Sequence, residues 1–234
     1  MNALEIKHLY LRIKNFEILS GIEFTVPAGV VCALIGPNGA GKTTTIKSIL
    51  KLYHTTGAKI NIIGKEIYNS ADITNLGYVP EKENFSNTKV INWLLFLSSL
   101  RQQNVELNRK TIEKYMERFD IMRIKNLRMS NLSSGQKKII MIIQALINND
   151  NQIYIMDEPT EHLDPEARQI FYQIVAELNK QGKSFIISTH NLDEIKKFAS
   201  YVVFIRNGKV IHQGQFSPND DLYKIFNNDK LNAN

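Results

Sequence analysis

The first residues of this chain that indicate a chemical role form a glycine-rich stretch followed by lysine and threonine. It fits the pattern G-x-x-x-x-G-K-[ST] and lies between an apolar run, 30–35, and a helical pattern that begins near residue 42. Its residues are Gly36, Pro37, Asn38, Gly39, Ala40, Gly41, Lys42 and Thr43. Such glycines let successive backbone N–H groups point at phosphate oxygens, and the following helix adds its positive N-terminal end. The pattern predicts a phosphate-binding loop rather than a plain turn.

Three side chains at the end of this loop are expected to have distinct roles. Lys42 would place a full positive charge near the β- and γ-phosphates of a nucleotide. The Thr43 hydroxyl is a hard oxygen ligand suited to Mg²⁺, and Thr44 is placed to meet the α-phosphate. The order of the glycines differs from the G-x-G-x-x-G fingerprint of dinucleotide-binding proteins.

Two adjacent acids, Asp157 and Glu158, follow the apolar run 153–156. Open α/β sheets bind ligands at the carboxyl ends of their strands, so these acids are expected beside the phosphate loop. Asp157 would hold Mg²⁺ through its water shell. Glu158, on the opposite side of an extended chain, would orient and deprotonate an attacking water. The alternative is a surface turn with two solvated acids, and the phosphate loop argues against it.

The elements that must position these residues indicate an α/β domain. Short apolar runs at 30–35, 153–156 and 184–188 predict central strands of a largely parallel sheet. A helix is predicted over 166–181, with Asp164 as N-cap and Pro165 in the first turn. Asn207-Gly208 predicts a two-residue hairpin turn between strands at 201–206 and 209–213.

The middle of the chain has few strand signals. Helices are predicted over 90–100, 111–119 and 137–147, so residues 84–149 are interpreted as a helical insertion. The core would then comprise 1–83 and 150–215, within a single domain over 1–227 that is followed by a polar tail, 228–234.

Composition excludes some classes of protein. The chain has 234 residues, 43% of them hydrophobic, and a net charge of +6 with Lys and Arg scattered along it. Scattered charge favours solvated faces, so no direct contact with nucleic acid is expected. The longest nearly apolar run, 139–147, is far shorter than the ~20 residues that a membrane-spanning helix needs. The start lacks a signal-peptide pattern, which predicts an intracellular protein, and Cys32 is expected to be a buried hydrophobe.

Further motifs carry a resemblance to a known family. The segment Leu132-Ser133-Ser134-Gly135-Gln136 resembles the LSGGQ signature of ABC ATPases, and it ends 21 residues before Asp157. His190 is similar to the switch histidine of that family, and Leu163-Asp164 to the core of its D-loop. Taken alone, Ser133 could simply cap a helix and His190 could be a satisfied residue at a strand end. Because order and spacing agree over nearly the whole chain, the protein is identified as a member of the ABC family.

The resemblance implies an α/β fold with a RecA-like P-loop NTPase core, an antiparallel β-subdomain and an inserted α-helical subdomain. It implies ATP and Mg²⁺ as ligands and a head-to-tail dimer, either a homodimer or a heterodimer. Ser133, Ser134, Gly135 and Gln136 would contact the ATP held by the other subunit. Lys42, Glu158 and His190 would be catalytic, with His190 reporting the γ-phosphate and holding Glu158 and the water in line.

The chain departs from the family pattern at several positions. Glu81 stands where the Q-loop glutamine is usual, and we expect it to act on the metal and water side together with Thr43 and Asp157. Ser134 replaces a signature glycine but keeps its backbone N–H. Ungapped spacing puts Ile13 in the place of the adenine-stacking aromatic residue. Tyr10 or Phe16 could supply that ring after a small shift, or pack within a strand.

For function, the resemblance implies the ATP-hydrolysing motor of a membrane transporter whose membrane-spanning subunits are separate chains. The expected location is the cytoplasmic face of the membrane, and export of a peptide, antibiotic or lipid-like compound is preferred. The segment 88–100, with Trp93 and Phe96, is either the surface that meets the membrane subunits or local core. The alternative function is a soluble ABC ATPase acting on nucleic acid, ribosomes or cluster assembly.

Overall fold

The computed structural model describes residues 1–55, 57–82, 85–100 and 105–222, with only the backbone at Val105. The strands in these ranges are β1 (Asn2–Ile13), β2 (Phe16–Pro27), β3 (Val31–Ile35), β4 (Lys59–Ile62), β5 (Lys65–Glu66), β6 (Leu76–Val79), β7 (Ile153–Asp157), β8 (Ser184–Thr189), β9 (Tyr201–Arg206) and β10 (Lys209–Gln215). The helices are α1 (Lys42–Ile49), α2 (Val90–Ser99), α3 (Val105–Arg118), α4 (Ser134–Leu146), α5 (Pro165–Lys180) and α6 (Leu192–Ile195).

The larger sheet positions the site. Its strand order is β10-β9-β3-β8-β7-β6, and only β10 pairs in the antiparallel sense. Strands β3, β7 and β8 are buried along their whole length, which explains why they appear in the sequence as continuous apolar runs. Because these strands are parallel, the segments that follow Ile35, Asp157 and Thr189 meet at one edge of the sheet. The predicted central strands are confirmed.

The smaller sheet is antiparallel, with the order β2-β1-β4-β5. Its inner side chains form one core with α1 and with one side of β3, β7 and β8. Cys32 lies in this core, and burial raises the pKa of its thiol, as expected of a packing residue. This sheet is the antiparallel β-subdomain that the family resemblance implies.

Helices α2, α3 and α4 pack on the opposite side of the larger sheet. Tyr154 of β7 stacks on Phe185 of β8 there, with ring centroids 4.8 Å apart. Helix α4 packs both against α2 and α3 and against β6, and it therefore joins the helical segment to the sheet. The outer boundaries of this segment stay predictions, and the tail at 228–234 lies outside the described residues.

Local signals set several element boundaries. The Asp164 carboxylate accepts a hydrogen bond of 2.8 Å from the Ala167 N–H, and α5 begins at Pro165 as predicted. Asn207 and Gly208 both have positive φ, at 48° and 71°, which confirms the hairpin turn between β9 and β10. Helices α3 and α4 begin earlier than predicted. In α4 the reason is the Ser133 hydroxyl, which caps the helix and so extends it into the signature segment.

Candidate functional site

The phosphate loop is fixed by close backbone contacts with β2 and with the β9–β10 hairpin. A side chain at Gly36 would collide with the carbonyl oxygen of Ile205, and Gly39 and Gly41 have φ angles of 79° and 107°. The Gly208 N–H donates to the carbonyl of Ala40 at 3.0 Å. Glycine is therefore required in this loop for conformation as well as for close packing.

Lys42 is the first residue of α1, and its side chain extends back across the phosphate loop. Its side chain is 7% exposed, and Nζ donates to the Gly36 carbonyl at 2.8 Å. The same nitrogen lies 3.3 Å from the Pro37 carbonyl and 3.4 Å from Oε1 of Glu158. The sheet thus brings together the lysine and the acid that sequence spacing assigns to phosphate and water.

Asp157 is fully buried at the end of β7. Burial raises the pKa of its carboxyl, and the nearby hydroxyl groups of Ser188 and Thr43 oppose that rise. The Ser188 hydroxyl donates to Oδ1 at 2.6 Å. Thr43 approaches the same carboxylate without completing a hydrogen bond to Oδ2, which has no partner among the described residues. A buried carboxylate oxygen without a partner, beside a threonine hydroxyl, is a donor set that fits Mg²⁺.

Glu158 lies beyond the end of β7. Its φ is 46°, so the prediction that it continues an extended chain is wrong: the strand ends at Asp157, and a turn closes through the Glu161 N–H to the Glu158 carbonyl. The turn aims the Glu158 side chain at Lys42 on one side and His190 on the other. Its Oε2 lies 3.2 Å from Nδ1 of His190, and the His190 side chain is half exposed.

Ser188 is a site residue that the sequence does not single out. Its hydroxyl accepts a hydrogen bond of 2.9 Å from the Glu158 N–H while it donates to Asp157. One side chain on β8 therefore holds both acids, Asp157 at the end of β7 and Glu158 just beyond it. The only sequence signal is its place two residues before His190, at the end of a buried strand.

These residues surround a cleft of about 470 Å³, here named the phosphate-loop cleft. Its lining residues are Ile18, Pro37, Asn38, Gly39, Ala40, Gly41, Lys42, Thr43, Thr44, Glu81, Glu158, Glu161 and His190. Asp157 lies beneath it. Sequence reasoning missed Ile18, which lies beside the loop, and it related Glu161 to the D-loop rather than to this cleft.

The three candidates for stacking on adenine lie on the β1–β2 hairpin, but none lines the phosphate-loop cleft. Tyr10 instead lines a separate cavity with Leu11 and His54, and its ring packs over Gly21. Ile13 and Phe16 pair across the hairpin tip, and both are exposed. The identity of the stacking residue stays a prediction.

Glu81 lines the phosphate-loop cleft through a partly exposed carboxylate, which lies 3.6 Å from Nζ of Lys82. Its backbone carbonyl accepts a hydrogen bond of 2.9 Å from Lys138. Across the described ranges, no three His, Cys, Asp or Glu side chains are grouped to hold a metal. Mg²⁺ commonly takes one or two carboxylates and completes its shell with water and phosphate oxygens, so this arrangement suits Mg²⁺ with a nucleotide.

The signature segment lines a second cavity of about 390 Å³, the signature cavity, which shares no residue with the phosphate-loop cleft. Ser133 is the N-cap of α4: its hydroxyl accepts from the Gln136 N–H, and the Gln136 side chain accepts from the Ser133 N–H. The cavity also includes Ser134, Gly135 and D-loop residues. A Cβ on Gly135 would lie 2.7 Å from the His162 carbonyl oxygen, so this glycine allows the helix to pack on the D-loop.

Comparison with known proteins agrees with this geometry. The family model described as ABC transporter matches residues 19–161, which is more than half of the chain. The chain belongs to this family. As a member, it binds ATP and hydrolyses it. Within the described residues, every helix is too short or too polar to cross a membrane.

Individual relatives agree with the family assignment. The chain is 33% identical over 216 residues to a putative ABC transporter ATP-binding protein of Mycoplasma pneumoniae, covering 90% of this chain and 66% of that protein. It is 30% identical over 235 residues to the lantibiotic transport ATP-binding protein SrtF of Streptococcus pyogenes, covering 97% of each. A solved ATP-binding subunit of an ABC transporter superposes with a TM-score of 0.85 at 26% identity, covering 96% of this chain and 98% of that one.

Proposed function

We propose that this chain is the ATP-hydrolysing motor of a membrane exporter, with Glu158 as the base that activates water. One observation carries the catalytic assignment: the Glu158 carboxylate lies between Lys42 and His190 at the phosphate-loop cleft, with 3.4 Å to Nζ and 3.2 Å to Nδ1. A general base must reach both the water and the groups that align it, and this acid does so at the edge where the phosphates would lie.

The reaction follows from these positions. Backbone N–H groups of the loop and the Lys42 ammonium hold the phosphates and balance the charge that develops on them. Glu158 takes a proton from water as the water oxygen attacks the γ-phosphorus, and the bond from that phosphorus to the bridging oxygen of ADP breaks. The products are ADP and inorganic phosphate. His190 bonds to the Glu158 carboxylate and keeps it in line with the attacking water.

We place Thr43 and Asp157 at a Mg²⁺ site, with Glu81 on its water side. When bound, Mg²⁺ neutralises phosphate charge and fixes the geometry of the β- and γ-phosphates. Asp157 suits this site because its buried carboxylate lacks a partner at Oδ2, and Ser188 holds the other oxygen.

The separation of the two cavities supports a head-to-tail dimer. In one chain the signature cavity and the phosphate-loop cleft share no residue, so Ser133 and Gly135 would contact the γ-phosphate bound by a partner subunit. The start of α4 suits this contact because a helix N-terminus attracts anions. Each γ-phosphate would then join two subunits until hydrolysis removes the contact.

Export is favoured by the similarity, along nearly the whole chain, to the protein named for lantibiotic transport. The substrate class that we propose is a peptide, antibiotic or lipid-like compound. Membrane-spanning partner chains would bind at α2, where Phe96 is 56% exposed while Val90 and Leu94 are buried. The motor would thus lie at the cytoplasmic face of the membrane, bound to its partners.

The substitution Glu158→Gln tests the proposal. It keeps the shape of the side chain but removes its capacity to accept a proton, so ATP should bind and remain intact. Sedimentation with MgATP should show a persistent dimer for this variant and a transient one for the wild type. Adding Ser133→Arg should restore the monomer.

The control variant is Glu117→Gln, which changes an exposed acid on α3. This variant should hydrolyse ATP like the wild type. A Glu158→Gln protein that still hydrolyses ATP at the normal rate would rule out Glu158 as the base. A variant that retains MgATP yet stays monomeric at high concentration, alone and with its membrane partners, would refute the shared γ-phosphate.

A further inference from the structure

Lys138, in the second turn of α4, is a buried cation with no role in the mechanism above. The residue is 2% exposed, whereas lysine is rarely buried unless it is paired. Its ammonium group donates a hydrogen bond of 2.9 Å to the backbone carbonyl of Glu81. A full positive charge is therefore held under the loop that carries the proposed water-side acid.

The surroundings of this ammonium group are acidic. Burial lowers the pKa of Lys138, and the negative charges of Glu161, Asp157, Glu81 and Glu158 oppose that effect. All four carboxylates belong to the phosphate-loop cleft or lie directly beneath it. Lys138 thus offsets part of the negative charge gathered there.

Helix α4 connects Lys138 to the other cavity. Its N-cap, Ser133, lines the signature cavity, and Lys138 follows little more than one turn later. The next positions, 139–143, are all buried in the core between the helical segment and the sheet. Because close-packed interiors transmit strain, we expect a displacement of the helix start to reach Lys138 and, through its hydrogen bond, the Glu81 carbonyl.

The Glu81 loop has a natural reporter. Phe85, four residues after Glu81, packs edge-to-face against Trp93 of α2, with ring centroids 5.8 Å apart. Trp93 is the single tryptophan of the chain. Its emission can therefore report a change in the packing of Phe85 on α2.

We propose that Lys138 is a positioning residue that ties the signature end of α4 to Glu81, and so links the cavity facing a partner subunit to the chain's own catalytic cleft. The proposal rests on the function proposed above, because it takes Glu81 and Asp157 as parts of the Mg²⁺ and water side. It makes α4 a direct connection between the two nucleotide sites of a dimer.

The substitution Lys138→Met separates this role from simple structural support. It removes a positive charge from among four carboxylates, so Mg²⁺ should be held more tightly, with its half-saturating concentration at least ~3-fold lower. Turnover should nevertheless fall at least ~10-fold because the Glu81 carbonyl loses the hydrogen bond that positions it. General damage to the site would weaken Mg²⁺ binding along with turnover.

Equilibrium dialysis measures the binding of a labelled, non-hydrolysable ATP analogue as Mg²⁺ is titrated, and Trp93 emission is recorded on adding MgATP. Lys138→Met should bind nucleotide without the wild-type change in emission. Lys138→Gln keeps an N–H donor without the charge, so it should show the Mg²⁺ shift and retain part of the emission change. Lys137→Met, on a partly exposed position of the same helix, should match the wild type.

The outcomes discriminate between the two proposals. A wild-type protein that binds no MgATP contradicts the proposed function. If the wild type binds MgATP and Lys138→Met matches Lys137→Met in Mg²⁺ dependence and emission, the role of Lys138 is refuted. No emission change in the wild type would refute the link to Glu81. If Lys138→Met does not fold, judged by circular dichroism, the Mg²⁺ shift in Lys138→Gln decides.

Discussion

Removing the Ser188 hydroxyl should disturb both acids of the site through a residue that touches no substrate. Ser188→Ala deletes the 2.6 Å bond to Asp157 and leaves the Glu158 N–H without its acceptor. A hydrogen bond to a charged group contributes about 1.5–3 kcal/mol, and the unsatisfied N–H adds about 1 kcal/mol. We therefore expect the free energy of unfolding to fall by about 2.5–4 kcal/mol at neutral pH.

The same substitution should act on catalysis. If about 1.4 kcal/mol of the lost interaction is specific to the transition state, turnover falls about tenfold. The Asp157 carboxylate also loses a bond that favours its charged form, so its pKa should rise further and the half-saturating Mg²⁺ concentration should increase.

The assay compares Ser188→Ala with Ser184→Ala, a matched serine at the other end of β8. Ser184 is also buried and accepts one bond of 2.9 Å from the Gly29 N–H. Its removal should cost about 1 kcal/mol of stability with normal turnover and Mg²⁺ dependence. Urea unfolding, phosphate release and Mg²⁺ titration are measured for both variants. Equal kinetic effects of the two substitutions would refute the positioning role of Ser188.

Three further predictions follow from the site. Because burial raises the pKa of Asp157, nucleotide-free protein should lose stability as pH rises from the ordinary carboxyl range through that raised pKa. Asp157→Asn should remove this pH dependence of stability, measured by urea unfolding from pH 4 to 8, and should weaken Mg²⁺-dependent binding of nucleotide. Lys42→Ala should abolish hydrolysis at unchanged circular dichroism, and near-normal turnover would exclude the phosphate-loop assignment. Gly135→Ala would put a Cβ 2.7 Å from the His162 carbonyl oxygen, so thermal melting should show a loss of stability of about 1–3 kcal/mol; the control Gly214→Ala, whose Cβ would meet only the His212 side chain at 3.7 Å, should melt like the wild type.

Prediction from the sequence succeeds best for features that depend on residues close together in the chain. The phosphate loop and Asp157 at the end of β7 are each specified by neighbours within a few residues, and both lie where the sequence predicts them. The larger sheet was predictable because its buried strands must be continuously apolar. The left-handed turn at Glu158 was not predictable, because no glycine or asparagine marks that position.

Contacts between distant parts of the chain could not be predicted from the sequence. Ser188 reaches Asp157 across 31 residues, and Lys138 reaches Glu81 across 57. A serine in a strand and a lysine in a helix have many ordinary uses, so only the parallel sheet and the burial of α4 reveal these partners. Ile18 was missed for the same reason: it meets the loop through β2 rather than through its own motif.

The β9–β10 hairpin bears on the order in which the protein acquires its ligand during synthesis. Gly208 bonds to the Ala40 carbonyl and accepts from the Ser20 N–H, and Ile205 presses against Gly36. The phosphate loop is made early on the ribosome, but the hairpin that encloses it emerges only after the helical segment and β8. A nascent chain whose hairpin has not yet emerged from the ribosome should therefore bind ATP poorly. Nucleotide binding is then a late event that coincides with completion of the larger sheet.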